Sequence, residues 1–228
     1  MNSLSIACAT FLLTRFVCLK EGDRFTFKRL LVAAGVFLLT LLVCFQSIPF
    51  VVGMFTPLIV LHGILYFTER RLDRTSPALR SMTLIIGLSL VWVVLTSGLD
   101  FRLRWPSLSN VSTEWLHLLI AGLLCMKESN YAIRWFFRQY KLLEKVESLS
   151  ADSSTENGRI IGSLERLLLL LFLWEGAALA ATFIAAVKGL ARFKKMEEHQ
   201  AFAEYVVIGT FISVLLTILI YKATYWGF

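Results

Sequence analysis

The chain has 228 residues, 57% of them apolar and 17% charged, with a net charge of +7. Mean hydropathy is +0.70. A soluble globule usually holds about 45–50% apolar and about 25% charged residues, so too little polar surface remains here to cover one. The same excess excludes disorder, and four scattered cysteines (Cys8, Cys18, Cys44, Cys125) with no CxxC exclude a secreted disulfide scaffold. What remains is an all-α, polytopic transmembrane helix bundle.

A bilayer core of about 30 Å needs roughly 20 mostly apolar helical residues. Residues 3–19 are apolar except for Arg15 and predict a short span or an interfacial helix, with a basic segment to residue 29. Span A is expected at 30–46 and span B at 50–67, joined by the tight turn Ser47-Ile48-Pro49. Span C follows at 81–97 and span D at 112–126. Span E is expected at 164–187 and span F at 203–221. Span D is short, about 22 Å at helical rise, so five to seven crossings are expected. The predicted organisation is residues 1–29, spans A–D within 30–127, a cytoplasmic amphipathic helix and polar linker at 128–162, and an E–F hairpin at 163–228.

Both open ends of the A–B hairpin are basic: Lys20, Arg24, Lys28 and Arg29 at one, Arg70, Arg71, Arg74 and Arg80 at the other. The positive-inside rule places them in the cytoplasm. If span D returns, residues 127–162 are cytoplasmic as well, with Lys127, Arg134, Arg138, Lys141, Lys145 and Arg159. Lys188, Arg192, Lys194 and Lys195 then fall outside, against the rule. Basic residues beside spans serve orientation and contact with anionic lipid headgroups, so the bilayer is the expected partner and nucleic acid is not. Residues 131–148 place Trp135, Phe136, Leu142, Leu143 and Val146 between charges, the pattern of an amphipathic helix on a membrane or a partner. With the linker that follows, 131–157 is the expected contact for a soluble cytoplasmic protein.

Spans E and F carry small residues at every fourth position. Ala177, Ala181, Ala185 and Gly189 form one ladder, and Gly209, Ser213 and Thr217 the other. Such faces let helix backbones approach in lipid. A turn near Glu197 would set Ala185 beside Gly209, Ala181 beside Ser213 and Ala177 beside Thr217. That register also drops Glu204 between Lys188 and Arg192, one turn apart on one face, as a charge-assisted bridge. Glu165 and Arg166, at the inner end of span E, are expected to be a solvated anchor or an ion pair fixed against a neighbouring span.

Three ordered segments, GRIIGSLER from Gly158, AVKGLARF from Ala186 and EYVVIGT from Glu204, resemble one uncharacterised bacterial family of small multi-pass membrane proteins. Its tails are similar to GxxIGxLER, AxKxxxRF and EYxxIGT. The family is a domain of unknown function, and the first hundred residues match it weakly. The resemblance implies residence in the bacterial inner membrane and a shared E–F module, and it supplies no activity.

Two polar residues fall inside expected spans. Glu175 sits near the middle of span E, where a charge costs on the order of 2.5–3.5 kcal/mol to insert. It is therefore expected to face protein or water, as a proton or cation site or as a protonated hydrogen-bond donor between helices. His62 follows Pro57, a residue that kinks helices, and a relay to Glu175 requires span B beside span E. No GxSxG, Walker loop or HExxH occurs, and no Cys/His set has metal-ligand spacing. No catalytic residue, cofactor or metal is expected. Two functions remain open. One is a non-catalytic membrane subunit, alone as a homo-oligomer or within a complex, that anchors a partner such as a stress-response or anti-phage effector. The other is a small transporter or ion or proton channel subunit using Glu175.

Overall fold

The computed structural model describes residues 2–19, 26–71, 77–96, 112–140, 155–177 and 179–226. Among these every regular element is helical. They are α1 (Asn2–Cys18), α2 (Phe27–Cys44), α3 (Ile48–Arg71), α4 (Pro77–Thr96) and α5 (Thr113–Leu123). A π-helical turn (Leu124–Glu128) leads into α6 (Ser129–Gln139), and α7 (Thr155–Trp174), α8 (Ala180–Glu198) and α9 (Gln200–Trp226) complete the chain. Three of them, α2, α3 and α9, are long and apolar enough to cross a membrane, fewer than the five to seven expected. Two compact units divide the chain at Leu123–Leu124.

In the first unit, α2 and α3 form the expected hairpin. Its turn is Phe45-Gln46-Ser47, because Pro49 lies inside the first turn of α3, where a missing N–H costs nothing. Ser47 Oγ accepts the Phe50 amide hydrogen, and the Phe45 and Phe50 rings close the turn at 4.7 Å. α1 packs against α2, α4 and α5. Residues 5–12 of α1 are all buried, so it is a helix enclosed by protein and not an interfacial one. Gly87 on α4 makes room for it: a Cβ there would lie 2.8 Å from Phe11 Cε1.

In the second unit, two expectations change. Span E is not one helix. α7 stops at Trp174, and Gly176 takes φ +74°, a left-handed backbone that glycine adopts without strain. Ala177 N–H donates to Phe172 O at 2.7 Å and Gly176 N–H to Leu173 O at 3.2 Å, which satisfies the last carbonyls in a Schellman stop. α8 then runs back along α7. The amphipathic helix expected after span D is present as α6, but it is not set off by a loop, since α5, the π turn and α6 succeed one another directly. Within the expected contact stretch Trp135 is exposed, whereas Tyr131 and Phe137 are buried. Residues 141–154, the rest of that expected helix and most of its linker, lie outside the described residues.

The exposure pattern is that of a protein turned toward an apolar solvent. On α9 the exposed stripe is Val207, Phe211, Leu215 and Leu219, and on α8 it includes Phe183, Val187, Leu190 and Phe193. Charged and hydroxyl side chains lie underneath, among them Arg15, Glu69, Arg80, Arg166, Ser213 and Thr217. Water would favour the reverse arrangement.

Candidate functional site

The second unit holds a polar centre built where four segments meet. α6 and the π turn run antiparallel to α9. Phe137 stacks on Tyr205 at 4.7 Å and fills the space over Gly209, 3.0 Å from where a Cβ would sit. At the other end of the same contact, the Thr217 hydroxyl meets the Cys125 thiol. α7 enters beside them through Arg166, which is 3% exposed. A π turn carries one more residue than α-type bonding serves, so carbonyl oxygens are left needing donors. Arg166 supplies these. Its Nε donates to Cys125 O at 2.6 Å and its Nη2 to Met126 O at 3.4 Å. Nη2 also donates to Asn130 Oδ1 and to Ser163 Oγ, and Asn130 Nδ2 donates to Ser163 Oγ at 3.2 Å. The planar guanidinium with its several donors suits such a fork, as a lysine would not.

Beside Arg166, Glu165 pairs with Lys188 of α8, Nζ to Oε2 2.6 Å, both largely buried. Thr210 and Ser213 of α9 close a small cleft over the pair, with Leu169, Ile184 and Val214 as its apolar wall. Ser213 is the midpoint of the 27-residue α9, so the centre lies halfway along the longest apolar helix. Charged groups at such a depth are costly and mark functional sites by default.

Several expected residues meet here and others do not. Glu165 and Arg166 are fixed against neighbouring helices, which was one of the two alternatives for them. Lys188 pairs with Glu165 and not with Glu204, because the break at Gly176 folds α8 back onto α7. Glu204 is exposed and accepts a hydrogen bond from Gln200 Nε2 at 3.4 Å. Arg192 is half-buried one turn beyond Lys188. Gly209, Ser213 and Thr217 do form the packing face of α9. Among the described residues, Phe137 packs over Gly209, the Glu165–Arg166 step lines the cleft with Ser213, and Cys125 meets Thr217. Ala177 lies in the exposed turn, and no described atom comes within 4 Å of a Cβ built on Gly189. The side chains of Ala181 and Ala185 lie outside the described residues.

Glu175 is exposed at the C-terminus of α7. It is nine residues past Arg166, or about 13 Å along the helix, and therefore lies just past the end of α7, away from the polar centre. The expectation ran span E on past Gly176, whereas the helix stops at Trp174. His62 is buried in the first unit, where Nδ1–H donates to Leu58 O at 2.7 Å and the ring meets the edge of Phe11 at 6.0 Å.

The first unit has its own charged cluster, unforeseen from the sequence. Glu69 and Arg80 form a two-pronged pair, Nε to Oε1 2.6 Å and Nη2 to Oε2 2.9 Å, clamping the end of α3 to the start of α4. Arg15 of α1 donates to Arg80 O at 2.9 Å and to Thr83 Oγ1 at 3.1 Å. The signal available was Arg15 inside an apolar helix, with no indication of its partners. In the second unit, the signal missed was Lys127-Glu128-Ser129-Asn130, read as a membrane boundary when it is the π turn and the first residues of α6. Among the described residues no three His, Cys, Asp or Glu gather as a metal site requires. No protein-family model, no curated protein and no solved structure matches the chain.

Proposed function

We propose that this is an integral membrane protein of the bacterial inner membrane whose second unit handles a small ion or proton, as a transporter or channel subunit. The observation that carries this is the meeting of Glu165, Arg166 and Lys188 at mid-depth, next to a π turn and under hydroxyls of α9. π turns recur at functional sites, and charge at that depth has to be enclosed or used. The residue given the pathway role is Glu165, in place of Glu175. Glu165, Arg166, Lys188 and Thr210 all come from the three C-terminal segments that resemble the uncharacterised family.

The crossings are α2, α3, α4, the helical run from α5 through α6, and each of α7, α8 and α9, with α1 enclosed in the first unit. Splitting span E turns the hairpin between α8 and α9 to the same side as the end of α6 and the start of α7. Arg192, Lys194 and Lys195 then join Arg134, Arg138 and Arg159 on the cytoplasmic side, as the positive-inside rule favours. Arg102, Arg104 and Lys222 are left outside, and the earlier conflict with the rule disappears.

The test is flux in proteoliposomes holding the full chain, with Glu165→Gln and Glu175→Gln compared. Flux is expected in the wild type and in Glu175→Gln, and is lost in Glu165→Gln. A wild type that moves no proton, sodium, potassium or chloride overturns the proposal.

A second reading, the assembly subunit that docks a soluble partner, draws on exposed Trp135, Arg138 and Tyr140 at the end of α6. Its check is whether alanine at these three positions releases a co-purifying protein from detergent-solubilised material.

A further inference from the structure

We propose that the exposed face at the end of α6 binds the headgroup of an anionic phospholipid. This rests on the chain lying in a bilayer, and it holds whether or not an ion crosses. Depth is fixed by the neighbouring helices. On α9 the exposed side chains change from apolar to charged between Val207 and Glu204, and on α8 between Phe193 and Lys194. An apolar surrounding therefore gives way to a polar one at about the level of Tyr205. Phe137 of α6 stacks on Tyr205 at 4.7 Å, and α6 runs antiparallel to α9. At helical rise Trp135 is then about 3 Å to the apolar side of that level, with Arg138 about 1.5 Å and Tyr140 about 4.5 Å to the polar side. Trp and Tyr are enriched where acyl chains meet headgroups.

The chemistry of the face names the ligand. Arg138 is three residues on from Trp135 and four from Arg134, so the three share one side of the helix. Trp135, Arg138 and Tyr140 are exposed. Arg134 is half-buried, with its guanidinium carbon 5.5 Å from the Tyr131 ring centroid. Residues 129–140 contain two arginines and no acid. The exposed acids at this end, Glu197, Glu198 and Glu204, belong to α8 and α9. A guanidinium matches the planar, two-pronged geometry of a phosphate, and the indole below it offers a ring to the upper acyl chain. Positive charge with no acid beside it selects an anionic headgroup over a zwitterionic one. A soluble protein fits less well, because Trp135 lies on the apolar side of the boundary, below the reach of water.

The experiment places the full chain in vesicles that carry either brominated phosphatidylglycerol or brominated phosphatidylcholine at equal mole fraction. Trp135 fluorescence is isolated as the difference between the wild type and Trp135→Phe. Stronger quenching by the brominated phosphatidylglycerol is expected. Arg138→Gln should reduce that preference about fivefold, the equivalent of about 1 kcal/mol for one basic residue at an anionic surface, and Arg138→Lys should keep most of it. Raising salt on the wild type needs no variant and should weaken the preference as well. Equal quenching by the two lipids overturns the proposal, as does a preference that neither Arg138→Gln nor salt reduces. Quenching of Trp135 by aqueous iodide and by neither lipid also overturns it, and so does a co-purifying protein that shields Trp135 from all three. These outcomes leave the transport reading standing. If no tryptophan of the chain is quenched by either lipid, the placement in a bilayer fails too.

Discussion

Arg166 of α7 donates through Nε to the backbone carbonyl of Cys125 at 2.6 Å, so a side chain from one helix completes the hydrogen bonding of another helix's π turn. Removing it takes the Nε donor from the Cys125 carbonyl and the Nη2 donor from Asn130 Oδ1. Arg166→Leu is expected to destabilise the protein by about 3 kcal/mol, given what buried hydrogen bonds to charged groups contribute. Arg166→Lys should recover only part of this, since an ammonium cannot fork across Cys125, Met126 and Asn130 together. Unfolding of detergent-solubilised protein by graded denaturant checks the order wild type, Lys, Leu.

The Glu69–Arg80 pair is nearly inaccessible to solvent, and removing one partner strands the other charge. Glu69→Gln or Arg80→Gln alone is expected to cost about 3–5 kcal/mol. Glu69→Leu/Arg80→Leu should cost less than the two single losses together, because neither member of the pair is left behind without the other. A double-mutant cycle on thermal melting separates this from simple additivity, which would show that the pair is not coupled.

Gly87 and Phe11 make a steric prediction of their own. Gly87→Ala places a methyl group into the Phe11 ring, and overpacking of this kind costs about 1–3 kcal/mol. Adding Phe11→Leu should return much of the loss. By contrast Gly63→Ala, with nothing within 4 Å of its Cβ, should hold or raise stability, since alanine is favoured in helices by up to about 1 kcal/mol. Equal melting of the two alanine variants would contradict the packing described.

In the proposed topology Gly176 sets how many times the chain crosses. Single cysteines at positions 175 and 199, labelled with a membrane-impermeant maleimide in intact cells and in inverted vesicles, are expected to react from opposite faces. Position 199 should be reached from the cytoplasmic side. A single uninterrupted span E would put the turn after α8 outside, and labelling of position 199 in intact cells would establish that arrangement.

Much of the architecture was readable residue by residue. The apolar runs gave α2, α3 and α9 to within a few positions, and the fourfold spacing on α9 picked out Ser213 and Thr217, which are buried. What misled was local. Glu175-Gly176 reads as a charge and a small residue inside an apolar stretch until the left-handed turn is seen. Lys127 to Asn130 reads as the end of a span because the partners of Asn130, Ser163 and Arg166, lie far along the chain. Depth misled as well, since Glu175 looked central only while span E was taken to run on past Gly176.

Composition alone determined that this chain folds as helices clothed in apolar side chains, because each helix satisfies its own backbone and needs nothing from its neighbours to do so. Tertiary structure alone decided which charges meet. Glu165 finds Lys188, Arg80 finds Glu69 and Arg166 finds the π turn across separations of up to 41 residues. An ion pair has no periodicity to leave in a sequence, and only the closing of helix on helix brings its two halves together.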